Sequence, residues 1–373
     1  MEAEPMGLLQ FAKRSVVTLA LVSLTLAGCG GESTPDAPFN PAGTSADLEA
    51  MNETFASPAF ASFSTFSVMF DAAMGGSPII ASSAAAIDVR GAKTPAGMRA
   101  AAARGAQRLA GFLMHQRMSA SAGHSGSAMM ISSTIAGKTF VYDPNTSSYV
   151  ASDVAGAPAT GVRFLLYAVD PVSYAPVEPL VETGYVDLID MSAGSTQAAR
   201  VLVVSGGITY VDYTVSVSTG TTSGRVSVTG MITDGTNQAN IVLRSTLTST
   251  AGLTLTYSLD LPQRDVSVDL SVNATDVSQV SSPITISLTM RGPNGTIAMT
   301  GQFTDTSGNL NIRVNGAAFA TITTDGTTTT ITRSDGTALS DDELVAMEGI
   351  FEVQSGAFTS FDQMLAPVGG FFQ

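Results

Sequence analysis

The chain has 373 residues, 44% of them hydrophobic, with a formal net charge of −14 and a pI near 4.4. Such acidity argues against a nucleic-acid partner, which calls for a basic face. A single cysteine, Cys29, excludes an intrachain disulfide framework, so stability must come from a hydrophobic core.

The first element is a leader. Lys13 and Arg14 precede an apolar run from Ser15 to Leu26, and the small residues Ala27 and Gly28 lead to Cys29. Basic residues, an apolar core and small residues in that order make a secretory signal, which reads equally well from Met1 or Met6. The run is shorter than the roughly 20 residues of a transmembrane helix. Leu26-Ala27-Gly28-Cys29 closely resembles the lipobox of bacterial lipoproteins. That resemblance implies cleavage before Cys29, a diacylglyceryl group on its sulfur and acylation of the new amino terminus. Several acyl chains hold a protein on a membrane where one binds only marginally. Gly30 stands where many inner-membrane lipoproteins carry Asp, and by that family rule the destination is the outer membrane. The resemblance is confined to the leader, residues 1–28, and its cysteine; it implies nothing about the mature fold.

Residues 29–43 read as a polar, Gly/Pro-rich tether after the acylated cysteine. A helical region is predicted over 44–128. It opens with Thr44–Asp47 as a capping box for a helix from near Ser45, followed by Leu48, Met51 and Phe55 at helical spacing. Phe60, Phe63, Phe66 and Phe70 continue the spacing as a stripe suited to docking on a sheet or lining an apolar ligand site. An Ala-rich helix is predicted over 97–118. Arg90, Lys93, Arg99, Arg104, Arg108 and Arg117 gather there, a solvated face for the acidic body or a contact for anionic headgroups.

From 129 to 339 the pattern is that of strands. Residues 139–150 give two short strands around Asp143-Pro144-Asn145, and Val162 to Val169 reads as a buried central strand. After Gln197 the chain is predicted to run as a meander of about ten strands, following two to four earlier ones. Leu253, Leu255, Tyr257, Leu259 and Leu261 alternate with polar residues. So do Val266, Val268, Leu270, Val272 and Ala274, then Ile284, Ile286, Leu288 and Met290. Period two buries one face and leaves a wet face of Ser, Thr and Asp. Turn pairs such as Asp234-Gly235, Asn294-Gly295 and Asn315-Gly316 punctuate the runs. Over 340–373, Ser340–Glu343 is a capping box before Leu344, Met347, Ile350 and Phe351, and Phe358, Phe361 and Leu365 mark a second helical segment.

The expected architecture is therefore mainly β: a large curved antiparallel meander sheet, an open or partly closed barrel, with amino- and carboxyl-terminal helices on its apolar face. The alternatives are a two-sheet sandwich and a closed barrel.

No motif supplies catalytic chemistry. His115 and His124 lack zinc-ligand spacing, and no nucleophile elbow marks a serine. Ser205-Gly206-Gly207 and Gly137-Lys138-Thr139 fall short of a known site, the latter reading as a turn entering a strand. Glu178, Glu182, Asp187 and Asp190 read as a solvated rim, with a calcium or catalytic site as the alternative. No cofactor or metal is called for. These readings point to a non-enzymatic structural or interaction module held on the envelope membrane by Cys29, with a protein or glycan partner. The alternative is a carrier of lipid or another hydrophobic ligand in a curled sheet, faced by Phe60–Phe70 or Phe358–Phe361.

Overall fold

Strict alternation of apolar and hydroxyl-bearing residues builds the main element. The structure, a computed structural model, describes residues 40–55, 131–168, 176–276, 279, 282–304, 306–325, 328–350, 353 and 364. Its strands are β1 (Lys138–Asp143), β2 (Ser148–Ser152), β3 (Gly161–Tyr167), β4 (Glu182–Asp190), β5 (Thr196–Ser205), β6 (Ile208–Thr219), β7 (Ser223–Thr233) and β8 (Gln238–Thr248). There follow β9 (Leu253–Leu261), β10 (Val266–Ala274), β11 (Ile284–Gly292), β12 (Gly295–Phe303), β13 (Gly308–Val314), β14 (Ala317–Thr324) and β15 (Thr329–Arg333). Helix α1 spans Pro41–Phe55, and α2 spans residues 341–350.

All fifteen strands form one sheet, in sequence order from β15 to β3 and then β1 and β2. β15 and β2 are its end strands, so among the described residues neither the closed barrel nor the sandwich forms. Twisted open sheets of more than about ten strands curve rather than lie flat. Hairpin geometry explains the order. Gly206 and Gly207, with φ of 56° and 79°, join β5 to β6, and Asn315 and Gly316, at 50° and 84°, join β13 to β14. Two consecutive positive-φ residues match the right-handed twist of the strands they connect. Ser205-Gly206-Gly207 is thus a hairpin, and the Ser205 hydroxyl donates to the Thr183 carbonyl oxygen at 2.6 Å.

The pure meander fails at one place. β1 pairs with β3 in parallel, Lys138 to Phe140 against Val162 to Phe164. The β1–β2 hairpin leaves the far side of β1 open, and β3 adds there instead of beside β2. Aromatic packing favours that choice: Phe140 and Phe164 stack at 4.8 Å, and Tyr149 meets Phe164 edge-on at 5.4 Å. Residues 153–160 carry the crossover.

The apolar residues predicted on one face of β9 and β10 are all buried, from Leu259 and Val268 at 0% exposure to Ala274 at 5%. Both helices contribute to this core through Leu48, Met347 and Ile350. α1 starts earlier than predicted. Asn40 caps it, its Oδ1 accepting from the Gly43 amide at 3.1 Å, and Pro41 takes the first helical position. Thr44 therefore lies buried within the first turn, and Asp47 accepts instead from Asn294 Nδ2 at 3.0 Å, in the β11–β12 turn.

The capping box of α2 forms as predicted. Ser340 Oγ accepts from the Glu343 amide at 3.3 Å, and Glu343 Oε2 accepts from the Ser340 amide at 2.8 Å. Glu343 Oε1 also accepts from Arg333 Nη1 at 2.7 Å, tying the helix to the edge strand β15. This turns Glu343, Ala346, Met347 and Ile350 inward, so Leu344, expected on the apolar face, is 40% exposed.

Candidate interaction surface

The face opposite the core is polar in continuous rows. Hydrogen-bond register sets one row from β7 to β15 as Arg225, Thr246, Thr254, Asn273, Thr285, Gln302, Asn309, Thr323 and Thr330. A second row, two residues along each strand, is Ser227, Arg244, Thr256, Ser271, Ser287, Thr300, Asn311, Thr321 and Thr332. At about 4.8 Å between strands, each row runs roughly 38 Å. Neither holds an apolar side chain. Neighbours bond within the surface, as at Ser216 and Ser227, whose hydroxyls lie 2.8 Å apart. Arg291 and Asp269 pair in the open at 2.6 Å, a contact that adds little stability in water.

The predicted carboxylate rim resolves into separate structural contacts. Asp187 faces Arg163 across β3 and β4, accepting from Nε and Nη2 at 2.7 Å each. That pair holds the Arg163 guanidinium above its already high ordinary value, chiefly by the hydrogen bond to Asp187. Asp190 Oδ1 accepts from the Ser192 amide at 2.9 Å. Glu182 begins β4, and Glu178 lies in the preceding loop. Among the described residues, no three His, Cys, Asp or Glu side chains gather as a metal would require.

The turn carboxylates are occupied by their own loops. Asp234 Oδ1 accepts from the Thr236 and Asn237 amides at 2.8 and 2.7 Å, and the Asn237 backbone bond is the first cause of its lowered pKa. Asp325 Oδ1 accepts from the Thr328 amide at 2.7 Å. Lys138 opens β1 just after Gly137, as predicted of a turn entering a strand.

Comparison with protein families, curated proteins and solved structures finds no match.

Several sequence-predicted positions lie outside the described residues: the lipobox Leu26, Ala27, Gly28 and Cys29, the stripe Phe60, Phe63, Phe66 and Phe70, and Phe358 and Phe361. His115, His124 and the Arg-rich 97–118 segment do too. No described helix is long and apolar enough to cross a membrane.

On the core side of β8, Ser245 departs from the apolar pattern. It is 1% exposed and sits between Val226 and Leu255, and its Oγ has no hydrogen-bond partner. Alternation places this hydroxyl on the buried face, although serine itself signals the wet one.

Proposed function

We propose that the chain is a lipid-anchored lipoprotein of the cell envelope, at the outer membrane, whose β domain is a non-enzymatic interaction module. The anchor rests on the ordered leader and Leu26-Ala27-Gly28-Cys29. The module rests on one observation: the sheet's outer face carries hydroxyl and carboxamide rows across nine strands. Such groups donate and accept at once, and suit a polar protein or glycan partner. Mass spectrometry of the mature amino terminus tests the anchor. Cleavage before an acylated Cys29 is expected, and Cys29→Ser should leave the chain unprocessed or free it from the membrane. A free Cys29 thiol at the mature terminus would overturn the anchor.

The unpartnered Ser245 hydroxyl favours a second reading, a carrier whose apolar ligand has a polar group near β8. The two readings differ in one substitution. For a module with a filled core, Ser245→Ala removes an unsatisfied polar group and raises stability by about 1 kcal/mol. For a carrier, the same change lowers the amount of ligand that native mass spectrometry and organic extraction recover. A stoichiometric lipid on the wild-type chain would replace the module reading with the carrier.

A further inference from the structure

Arg225 and Arg244 stand out from the other arginines of the described sheet. Arg163, Arg200, Arg291 and Arg333 each face a carboxylate, at 2.7, 2.6, 2.6 and 2.7 Å. Arg313 of β13, exposed and without a carboxylate among the described residues, donates from Nη1 to the Gly316 carbonyl oxygen at 2.9 Å. Arg225 and Arg244 are exposed, and neither has an ion-pair partner among the described residues. Register makes them diagonal neighbours, since Arg225 pairs with Thr246 and Arg244 with Ser227. Such diagonals lie about 7–8 Å apart, within reach of long side chains. Their other cross-strand neighbours are Ser218 and Thr256, so hydroxyls flank both arginines across the strands.

Two like charges side by side on a wet face repel unless something anionic lies between or above them. In a chain of net charge −14, their lack of a carboxylate neighbour is not a shortage of acids. The planar guanidinium fork matches a carboxylate bidentately, while the adjoining hydroxyl rows can donate to and accept from neutral sugar hydroxyls. We propose that Arg225 and Arg244 form a recognition site for carboxylates of an acidic polysaccharide laid along the outer face. This deepens the interaction-module reading, on which it rests, by naming the partner's chemistry.

Two competing effects decide against other occupants. The chain's overall negative charge repels polyanions at long range, but salt near 0.1 M screens charges beyond about 10 Å, leaving the local positive pair to act. A membrane surface would also supply anions. Surfaces that insert at headgroups carry aromatic or large aliphatic residues exposed beside their bases. The outer face of β7–β15 has no aromatic side chain, and the aliphatic ones near the pair, Met231 and Val242, are half-buried.

The test uses the full chain in an uncharged detergent near 0.1 M salt, with polygalacturonate as the carboxylate probe, dextran as the neutral one and a soluble short-chain phosphatidylglycerol as headgroup competitor. Polygalacturonate should bind, weakening as salt rises. Arg225→Gln with Arg244→Gln should weaken it at least tenfold with the melting temperature unchanged, since both side chains are exposed. Equal binding by the double variant would overturn the site. So would displacement by the phospholipid but not by galacturonate oligomers, which reassigns the pair to headgroups. Polygalacturonate binding no tighter than dextran binding in the wild-type chain would remove the arginine site and keep the module. No binding of either polysaccharide also overturns the site, while lipid recovered from the wild-type chain is the separate result that overturns the module.

Discussion

Asp187→Ala is expected to lower stability by about 3 kcal/mol, measured as a shift of the urea midpoint at unchanged slope. The Asp187 side chain is 6% exposed and that of Arg163 19%, so removing the carboxylate strands a mostly buried guanidinium. Breaking a buried pair from one side typically costs about 3–5 kcal/mol, and the partial exposure of Arg163 puts the expectation at the low end. Arg163 is enclosed by more than its acid. Its guanidinium lies 3.6 Å from the centre of the Tyr185 ring, and a Cβ on Gly156 of the crossover would lie 2.8 Å from its Nη1. The pair thus packs the 153–160 crossover onto the face away from the core. Replacing both partners together, Arg163→Met with Asp187→Leu, should recover most of the loss, because no uncompensated charge remains. A loss below about 1 kcal/mol for the single change would mean that water already screens the pair.

Asp187 also shows where a sequence stops being legible. Its partner lies 24 positions earlier, and only the β3–β4 register makes them opposite. Read alone, Asp187 among Glu178, Glu182 and Asp190 is a rim of acids. The same limit applies to Arg225 and Arg244, which become neighbours only through the β7–β8 hairpin. By contrast, β9 to β11 were legible because burial of one face imposes period two on adjacent residues. The Ser340–Glu343 box was legible because all its bonds are local. The start of α1 shows two local signals in competition. Thr44–Asp47 imitates a capping box, but Asn40-Pro41 supplies a cap and a preset first φ, and it wins. The parallel β1–β3 pair had no local signal at all, since it depends on which strand edge Phe164 finds an aromatic neighbour to stack on.

The polar rows and the core depend on a common requirement, that every strand hold its register, and Gly230 is one position where this can be tested. Gly230 of β7 lies opposite Tyr213 of β6 on the buried face. A Cβ there would fall on the Asp212 carbonyl oxygen and the Tyr213 Cα, which are backbone atoms that cannot swing away. Glycine in a strand often marks such a close approach. Gly230→Ala should therefore cost about 3 kcal/mol, and Gly230→Val more, as β6 and β7 separate. Tyr213 is fully buried, and its hydroxyl donates to the Met364 carbonyl oxygen at 2.8 Å, fastening the carboxyl-terminal segment to the sheet. Tyr213→Phe keeps the ring and loses that bond, at about 1 kcal/mol. Burial also raises the phenol above its ordinary value of 10.0, so the folded state favours the neutral form. The resulting stability is fully present below pH 10 and declines as pH rises above it, because the unfolded chain ionises first. Tyr213→Phe should make the alkaline fall in stability shallower, whereas Gly230→Ala should lower stability at every pH. An alkaline fall of unchanged steepness in Tyr213→Phe would show that the phenol is not held neutral by the fold.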